Sequence, residues 1–303
     1  MPSPPDAPGT IGLIVERRHL ATRALVEMRH ALVEAGWRLD TVVPDAESVY
    51  GIAADPPPWD LAMSRGRDLA GLGILATAAA AGIPALNTPA AIDLVRNKVA
   101  MHATLLRHDV PVPATWFASH PALFDRLDRD VFPLVVKPFD GDGSAGISLL
   151  ERPEDARLIP VPGEGRMLFV AQTLLRTDGF DLKLYGIGRE VWAVRKPSPV
   201  VFDGPGPARL VAPGGSELVE LDGTLREIAI TCGQAFGLEL FGVDVALTPQ
   251  GPMVIEVNDF PTYSAVPSAG EALARHAIRT ACLQRFYRSL GNDRLRGLVQ
   301  GAA

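Results

Sequence analysis

The pattern of the chain changes near residue 110, and this change constrains the fold more than any other feature of the sequence. Before it, "TIGLIVE" (10–16) predicts a strand, residues 20–36 predict an amphipathic helix and "RLDTVVP" (38–44) predicts a second strand. After it, apolar runs follow one another with only tight turns between them, as in "VFPLVVKPFDGDGSAGISLL" (131–150). Alternating strands and helices build parallel sheets, whereas turn-linked strands build antiparallel ones. The sequence therefore predicts a mixed α/β and α+β protein.

Three lobes follow from this pattern, because 303 residues are enough for more than one hydrophobic core. A parallel α/β lobe is predicted over residues 1–95, a small central α+β lobe over 96–172 and a larger antiparallel lobe over 173–303. Between the first two, "TPAAIDLVRNKVAMHATLLRHD" (88–109) predicts one long helix.

Composition and charge exclude several classes of function. Hydrophobic residues make up 47% of the chain and charged residues 21%, which is typical of a soluble globular protein. The net charge of −6 argues against a general nucleic-acid or membrane-surface binder, although it does not exclude a local basic cleft for phosphates. The most apolar segment (71–86) is too short, and too interrupted by Gly and Pro, to span a bilayer. Cys232 and Cys282 have no metal-ligand spacing, which indicates reduced thiols and a cytoplasmic protein.

A carboxylate interrupts an apolar strand near the C-terminus. "FGVDVAL" (241–247) and "PMVIEVN" (252–258) are joined by "TPQG", which predicts a hairpin. A hairpin centred near the Gln of this turn places Asp244 opposite Glu256, and Asn258 shares a face with Glu256. Two carboxylates and an amide on a rigid strand pair suit Mg²⁺. The opposite register would separate them and leave them facing solvent.

A lysine followed by a glycine-rich loop forms the second candidate site. Lys137 ends an apolar strand, and Gly141, Gly143 and Gly146 follow it. Such a loop can bring backbone N–H groups to phosphate oxygens while the lysine supplies a charge. It is not a Walker loop, because the lysine precedes the glycines. A glycine-rich turn without a ligand is the alternative.

Two further features are weak when taken alone. "AQTLL" (171–175) ends a strand and could offer backbone groups to an adenine edge. Charged residues also interrupt two adjacent apolar strands, where they would otherwise be read as exposed strand charges. These residues are Asp181, Lys183, Arg195 and Lys196.

The order of these features resembles the ATP-grasp superfamily over roughly residues 85–270. "LNTPAAIDLVRNK" is similar to the approach to the family's first nucleotide-contacting lysine, and "PLVVKPFDGDGSAGI" to its phosphate-covering loop with the second lysine. "VAQTLL" takes the place of its adenine hinge, and "FGVDVAL…PMVIEVNDFP" resembles its metal-binding end. The resemblance implies an ATP-grasp fold, with an N-terminal parallel α/β lobe and two lobes that enclose ATP, and with Mg²⁺ as the metal.

The resemblance also assigns roles to individual residues. The phosphates and the rest of the nucleotide would be bound by Lys98, Lys137, Asp140, Gly141, Gly143, Ser144, Gly146 and Asp181. The adenine would be bound by Gln172, Thr173, Leu174 and Leu175. The metal ligands would be Asp244, Glu256 and Asn258, and the catalytic residues facing the acceptor would be Lys183, Arg195 and Lys196.

Two branches of the superfamily share these motifs. Ligases of the RimK type phosphorylate a carboxylate with ATP, and an amine then attacks the acyl phosphate. Inositol trisphosphate kinases resemble the chain in "TDGFDLKLYGIGREVWAVRKPS" and in "NDFPTYSAVP". We favour a carboxylate–amine ligase with small-molecule or peptide carboxylate and amine substrates, without nucleic-acid or membrane partners and with a homo-oligomer left open. A nucleotide-binding regulator without catalysis is the third class.

The number of basic residues in the N-terminal lobe bears on the choice between a ligase and a kinase. A kinase acting on a polyphosphate needs a dense basic cluster, which this lobe lacks. Its modest candidates are "ERRH" (16–19), Arg65 and Arg67. His19, within the first of them, is expected to be an exposed residue at the start of a helix, with a substrate contact as the alternative.

Overall fold

A computed structural model describes most of the chain, namely residues 8–45, 47–52, 56–139, 146–161, 167–202, 208–212 and 214–300. The described residues form two compact units. Unit 1 contains the residues up to Ala91, the segment Gly237–Leu240 and the residues from Phe260 onwards. Unit 2 contains the described residues of Ile92–Phe236 and the segment Phe241–Asp259.

The N-terminal third alternates strands and helices as predicted. Its elements are β1 (Thr10–Val15), α1 (Arg23–Glu34), β2 (Arg38–Val42), β3 (Leu61–Arg65), α2 (Leu69–Ala80), β4 (Ala85–Leu86), α3 (Pro89–Arg96) and α4 (Lys98–Arg107). Short 3₁₀ helices lie at Arg17–His19 in this third and, further along the chain, at Pro121–Arg126, Arg129–Val131 and Pro153–Leu158.

The rest of the chain is dominated by strands. In chain order the central strands are β5 (Thr115–Ala118), β6 (Leu134–Pro138), β7 (Ser148–Leu150), β8 (Phe169–Thr173), β9 (Phe180–Ile187) and β10 (Glu190–Pro197). The remaining elements are β11 (Val200–Phe202), β12 (Ala208–Leu210), β13 (Glu217–Val219), α5 (Gly223–Phe236), β14 (Leu240–Thr248), β15 (Gly251–Asp259) and α6 (Ala269–Gln300).

Unit 1 is built on the predicted parallel sheet, whose strand order is β2-β1-β3-β4. α1 buries Leu25, Met28 and Leu32, so its apolar face covers the core. α6 packs against α1 so closely that a Cβ added at Gly270 would lie 2.2 Å from the Cβ of Glu27. Glycine therefore permits this helix contact.

A buried asparagine joins two distant segments within unit 1. The side chain of Asn87 is 3% exposed. Its Nδ2 donates to the carbonyl of Leu240, and its Oδ1 accepts from the N–H groups of Glu239 and Leu240 at 2.8 and 2.9 Å. One amide thus satisfies three backbone groups, which would otherwise be left without partners away from water.

Unit 2 contains antiparallel sheets, as the turn-linked pattern predicts. One sheet has the order β5-β8-β6-β7, a second has the order β13-β10-β9-β14-β15, and β11 pairs with β12. Every pair whose register is described is antiparallel. The second sheet packs on α5 around Phe241, whose ring lies where a Cβ of Gly186 or Gly233 would be. The mixed fold class is therefore confirmed.

Two local expectations were wrong. The predicted helix over 88–109 is two helices, because Asn97 adopts an extended backbone (φ −75°, ψ 96°) and caps α4 by accepting a hydrogen bond from the N–H of Ala100 at 3.0 Å. His19 is buried rather than exposed, at 9% exposure, because it is the one side chain of its 3₁₀ turn that faces the protein interior, whereas Arg17 and Arg18 are exposed.

The predicted lobe boundaries, 1–95, 96–172 and 173–303, stay a prediction. The compact units of the structure are drawn differently, since α6 packs with α1 in unit 1. Among the described helices, none is both long enough and apolar enough to cross a membrane.

Candidate functional site

The hairpin of β14 and β15 has the predicted register. Asp244 pairs with Glu256, and Asn258 pairs with Gly242. A bulge follows Asp244, so the pairing shifts between Asp244 and Val245. The two carboxylates and the amide therefore lie next to one another on one strand pair.

Three charged residues of the neighbouring strands lie on a common face. Asp181 and Lys183 are two residues apart on β9, and Lys196 of β10 is paired directly with Asp181. The Nζ atoms of Lys183 and Lys196 donate to Asp244 at 2.9 and 2.7 Å. The sheet thus presents lysines and carboxylates alternately across three adjacent strands.

Asp244 is the centre of this arrangement. It is 9% exposed and also accepts a hydrogen bond from Nδ2 of Asn258 at 3.1 Å. Burial alone would raise the pKa of its carboxyl, but Lys183 and Lys196 outweigh burial and hold that pKa well below its ordinary value. Asp244 is therefore ionised at neutral pH.

Glu256 is paired with the lysine that opens α4. Nζ of Lys98 lies 2.5 Å from Oε1 of Glu256. Burial opposes ionisation of Glu256, yet Lys98 and Lys137 lower the pKa of its carboxyl below the ordinary value. The capped start of α4 at Asn97 fixes the backbone from which Lys98 extends. The break between α3 and α4 thus positions one of the predicted nucleotide lysines.

The second predicted lysine belongs to a buried polar chain. Nζ of Lys137, on β6, donates to Oε1 of Gln172 on β8 at 2.9 Å. Nε2 of Gln172 lies 2.8 Å from Nε2 of His102 on α4. Burial, followed by the nearby charge of Lys137, lowers the pKa of His102 to about 4. Sequence reasoning missed His102, because a lone histidine in a helix carries no motif.

A second ion pair was also missed by sequence reasoning. Arg96, at the end of α3, donates from Nε and Nη2 to the two carboxylate oxygens of Asp259 at 3.0 and 2.8 Å. Both residues flank predicted site residues, Lys98 and Asn258, in the sequence. The only signal in the sequence was an additional positive charge, Arg96, near Lys98 and an additional negative charge, Asp259, next to Asn258.

Asp181 differs from Asp244 and Glu256 because burial outweighs the neighbouring positive charges in its effect on the pKa of the carboxyl. Burial raises the pKa of its carboxyl to about 6, although Lys196 and a hydrogen bond with Ser198 oppose the rise. The carboxyl of Asp181 therefore binds its proton more tightly than an ordinary aspartate does.

Arg195 is not brought to the cluster. It pairs with Leu182, and neighbouring residues of a strand point to opposite faces, so Arg195 lies on the other side of the sheet from Lys183 and Lys196. Its guanidinium lies 3.5 Å from the centre of the Phe180 ring and 3.2 Å from Asp178. The expectation that Arg195 faces the acceptor together with Lys183 therefore does not fit the strand alternation.

The segment predicted to hold adenine uses part of its backbone internally. The N–H of Thr173 donates to Ala114 at 3.0 Å, and the N–H of Leu174 donates to Pro133 at 2.9 Å. Two backbone N–H groups of this segment are therefore already used within the protein.

Most of the predicted phosphate loop lies outside the described residues, namely Asp140, Gly141, Gly143 and Ser144. Gly146, at its end, has φ +72°, and a Cβ there would lie 2.8 Å from the ring of Pro138. Glycine is therefore required at this position.

The donor set of the hairpin fits Mg²⁺. Among the described residues, no three His, Cys, Asp or Glu side chains form a group that could hold a metal ion. The predicted ligands are instead two ionised carboxylates, Asp244 and Glu256, and the amide of Asn258. Hard oxygen donors of this kind suit Mg²⁺, which keeps several ligand positions for water and phosphate oxygens.

Comparison with known proteins shows the family of the chain. Residues 95–279 match the RimK-like ATP-grasp domain. A probable alpha-L-glutamate ligase of Vibrio vulnificus (strain YJ016) is 29% identical over 188 residues, which cover 61% of this chain and 62% of that relative. The match therefore spans less than two thirds of the relative's length.

Solved structures share the fold over most of the chain. A RimK domain ATP-grasp protein from Sphaerobacter thermophilus superposes with a TM-score of 0.70 at 18% identity, covering 89% of this chain and 98% of that one. The ATP-grasp ligase PsnB, in complex with a minimal precursor, Mg and ADP, superposes with a TM-score of 0.63 at 16% identity, covering 91% and 97%. The chain belongs to the RimK-like ATP-grasp family.

Proposed function

We propose that the protein is an ATP- and Mg²⁺-dependent carboxylate–amine ligase that forms an amide bond through an acyl phosphate. The observation that carries the proposal is the single sheet face on which Lys183, Lys196, Asp244 and Glu256 alternate in charge. Such a face can hold a polyphosphate through its lysines and a divalent cation through its carboxylates. The RimK-like family supplies the reaction class.

Each residue of the cluster has a proposed task. Lys98 and Lys137 bind phosphate oxygens, and Asp244, Glu256 and Asn258 would hold Mg²⁺. When bound, the cation neutralises charge on the phosphate oxygens. Asp181 and the loop that ends at Gly146 complete the nucleotide site, and residues 172–175 bind adenine.

Lys183 and Lys196 are the proposed catalytic residues. They lie next to the metal ligands on the same face, at 2.9 and 2.7 Å from Asp244. Their ammonium groups would stabilise the negative charge that develops on the transferred phosphoryl group. Arg195 is left out of this proposal because it lies on the opposite face.

The proposed reaction has two steps. An oxygen of the substrate carboxylate attacks the γ-phosphorus of ATP, a new P–O bond forms, the bond to the β–γ bridging oxygen breaks and ADP leaves. The nitrogen of a neutral amine then attacks the acyl carbon and a C–N bond forms. The bond between the acyl carbon and the bridging oxygen breaks, and inorganic phosphate leaves with that oxygen. The amine loses one proton to solvent.

The proposed substrate class is based on the names of the relatives. The relatives are probable alpha-L-glutamate ligases, and we propose an amino acid, with L-glutamate as the first probe, as one of the two substrates. The kinase reading is not favoured, because the matched family is RimK-like rather than a kinase family. We also propose the cytoplasm as the compartment, because the reaction consumes ATP.

The proposal is tested by incubating the protein with ATP, Mg²⁺ and L-glutamate, alone and with the other proteinogenic amino acids. Release of inorganic phosphate that depends on an amino-acid pair, together with a product whose mass is the sum of the pair minus water, is expected. A stable phosphate ester would contradict the ligase assignment, and ATP binding without turnover in any mixture would favour a regulator.

A substitution at the predicted metal site sharpens this test. Glu256→Gln keeps an oxygen for Lys98 but removes the negative charge, so turnover should fall by about a hundredfold or more. Glu227→Gln removes the same charge from an exposed position of α5 and should leave turnover unchanged. Equal turnover in the Glu256→Gln variant and the unmodified protein would refute the metal assignment.

A further inference from the structure

His102 is a buried polar residue that the proposed reaction does not use. It lies on α4 and is 5% exposed. Its Nε2 contacts Gln172, which in turn contacts Lys137, the proposed phosphate-binding lysine. His102 is thus connected to the nucleotide site through a single side chain.

The chemistry of the chain fixes the direction of each hydrogen bond. Nζ of Lys137 donates to Oε1 of Gln172, so the acceptor atom of this amide faces the lysine. The amide nitrogen of Gln172 then faces His102 and donates, so Nε2 of His102 must be the acceptor. His102 is therefore a neutral imidazole whose proton is on Nδ1.

This tautomer is unfavourable because it leaves a buried N–H group, at Nδ1 of His102, without a hydrogen-bond partner among the described residues. An apolar side chain of similar size would fill the same space without burying an unsatisfied N–H group. What an apolar side chain cannot do is accept the hydrogen bond from Gln172.

We propose that His102 is a positioning residue for nucleotide binding, whose Nε2 lone pair holds the amide of Gln172 with Oε1 turned towards Lys137. Gln172, 3% exposed, then holds the ammonium group of Lys137 in place on β6. Without this acceptor, the amide is free to rotate and to present its N–H groups to the ammonium, which repel it. The inference rests on the proposed function, because it gives Lys137 its role with ATP.

The surroundings keep His102 in its accepting form. Burial and the charge of Lys137 lower the pKa of His102 to about 4, so the imidazole stays neutral at physiological pH. A protonated imidazole would have no lone pair to offer and would add a positive charge near Lys98 and Lys137.

Three substitutions separate the two ring nitrogens. In His102→Gln, Oε1 stands four bonds from Cα, as Nε2 of histidine does, so an acceptor is kept. In His102→Asn, the polar atoms stand three bonds from Cα, at the place of Nδ1, and the acceptor is lost. His102→Leu removes both. His108→Asn, at an exposed position just after α4, is the matched control.

The measurement is binding of a non-hydrolysable ATP analogue with Mg²⁺, followed by KM for ATP and kcat. We expect the Kd and the KM to rise about fivefold in the Asn and Leu variants, the size of one lost hydrogen bond, with kcat within about twofold. The Gln variant should bind like the unmodified protein. The inference would be overturned if the Asn variant bound the analogue like the unmodified protein and the Gln variant did not. Unchanged affinity in all three variants would also overturn it.

A spectroscopic measurement tests the inference without any substrate. The ¹⁵N shifts of His102, assigned by their loss in His102→Gln, should show a proton on Nδ1 and none on Nε2. A proton on Nε2 would overturn the inference while leaving the proposed ligase untouched. Failure of the unmodified protein to bind the ATP analogue would instead contradict the proposed function and, with it, the inference.

Discussion

Asp244 accepts hydrogen bonds from two lysines, and Glu256 accepts one from a third, so both predicted carboxylate ligands have counter-charges of their own. Unpaired buried charges are strongly destabilising, whereas paired ones are tolerated. If a polyphosphate and a cation bound here, the lysines would pair with the phosphate and the carboxylates with the metal. The pairing therefore keeps both sets of charges ionised and close to the positions in which the proposed reaction needs them.

The pair of Arg96 and Asp259 is expected to be the most strongly coupled ion pair next to the site. Its side chains are 16% and 8% exposed, and the contact is bidentate. Arg96→Met should lower the free energy of unfolding by about 3 kcal/mol, because it leaves Asp259 buried without its counter-charge. Urea denaturation measures this change.

A double-mutant cycle with Asp259→Leu supplies the control. The coupling energy between Arg96 and Asp259 should be about 1–3 kcal/mol, whereas the exposed pair of Arg157 and Asp125, at 73% and 19% exposure, should couple by less than about 1 kcal/mol. Coupling energies of equal size for the two pairs would show that the buried pair has no special weight.

The buried histidine predicts how stability depends on pH. The pKa of His102 is lowered to about 4 from 6.5, so the unfolded chain binds more protons than the folded one between these values. Stability contributed by the neutral imidazole is therefore present above about pH 6.5 and is lost as the pH falls towards 4. His102→Gln should lose less stability over this range, as measured by the urea midpoint at each pH.

Asp181 acts in the opposite direction and does not disturb this comparison. Its pKa is raised to about 6, so its proton stabilises the folded state as the pH falls, in both proteins alike. Identical pH profiles for the unmodified protein and the His102→Gln variant would contradict the assignment of a buried, neutral His102.

At the residue level, the sequence predicted those side chains that break a pattern. Glu256 interrupts an apolar strand, and strand alternation together with the turn was enough to pair it with Asp244. Arg96 and His102 lie in helices, where charged and polar residues are common, and their partners are 163 and 70 residues away. Contacts of that range depend on the tertiary fold and have no local signature.

The break between α3 and α4 is the element that places Lys98. A continuous helix was expected, because the apolar spacing of residues 88–109 is helical throughout. The signal that was missed is Asn97, which is favoured at an N-cap and which accepts the N–H of Ala100 here. Lys98 is consequently the first residue of a new helix rather than the middle of an old one.

Asn97→Ala should therefore affect both stability and nucleotide binding. Loss of the cap is expected to lower the free energy of unfolding by about 1 kcal/mol, and KM for ATP should rise because the start of α4 no longer fixes Lys98. The measurements are urea denaturation and steady-state kinetics.

Asp68→Ala is the matched control, since Asp68 caps α2 in unit 1 by accepting the N–H groups of Ala70 and Gly71. A similar loss of stability is expected there without a change in KM. A change in KM of the same size in both variants would contradict a specific role for the cap at Asn97.

At the level of the whole molecule, each unit is assembled from separated segments of chain. Asn87 joins residues 239 and 240 to unit 1, and α6 returns from the C-terminal third to pack on α1. The sequence predicted the parallel sheet and the antiparallel sheets, because strand type is set locally by periodicity and turns. It could not predict which unit α6 joins, because an amphipathic helix does not specify the surface that it covers.

In the proposed reaction, ATP activates a carboxylate as an acyl phosphate on this sheet face. This step is tested most directly by supplying amino acids labelled with ¹⁸O in their carboxyl groups, together with ATP and Mg²⁺, and analysing the products by mass spectrometry. Transfer of one ¹⁸O atom to inorganic phosphate for each amide bond formed is predicted, because the carboxylate oxygen becomes the bridging oxygen of the acyl phosphate. Amide formation with unlabelled phosphate, or a phosphate ester in place of an amide, would contradict it.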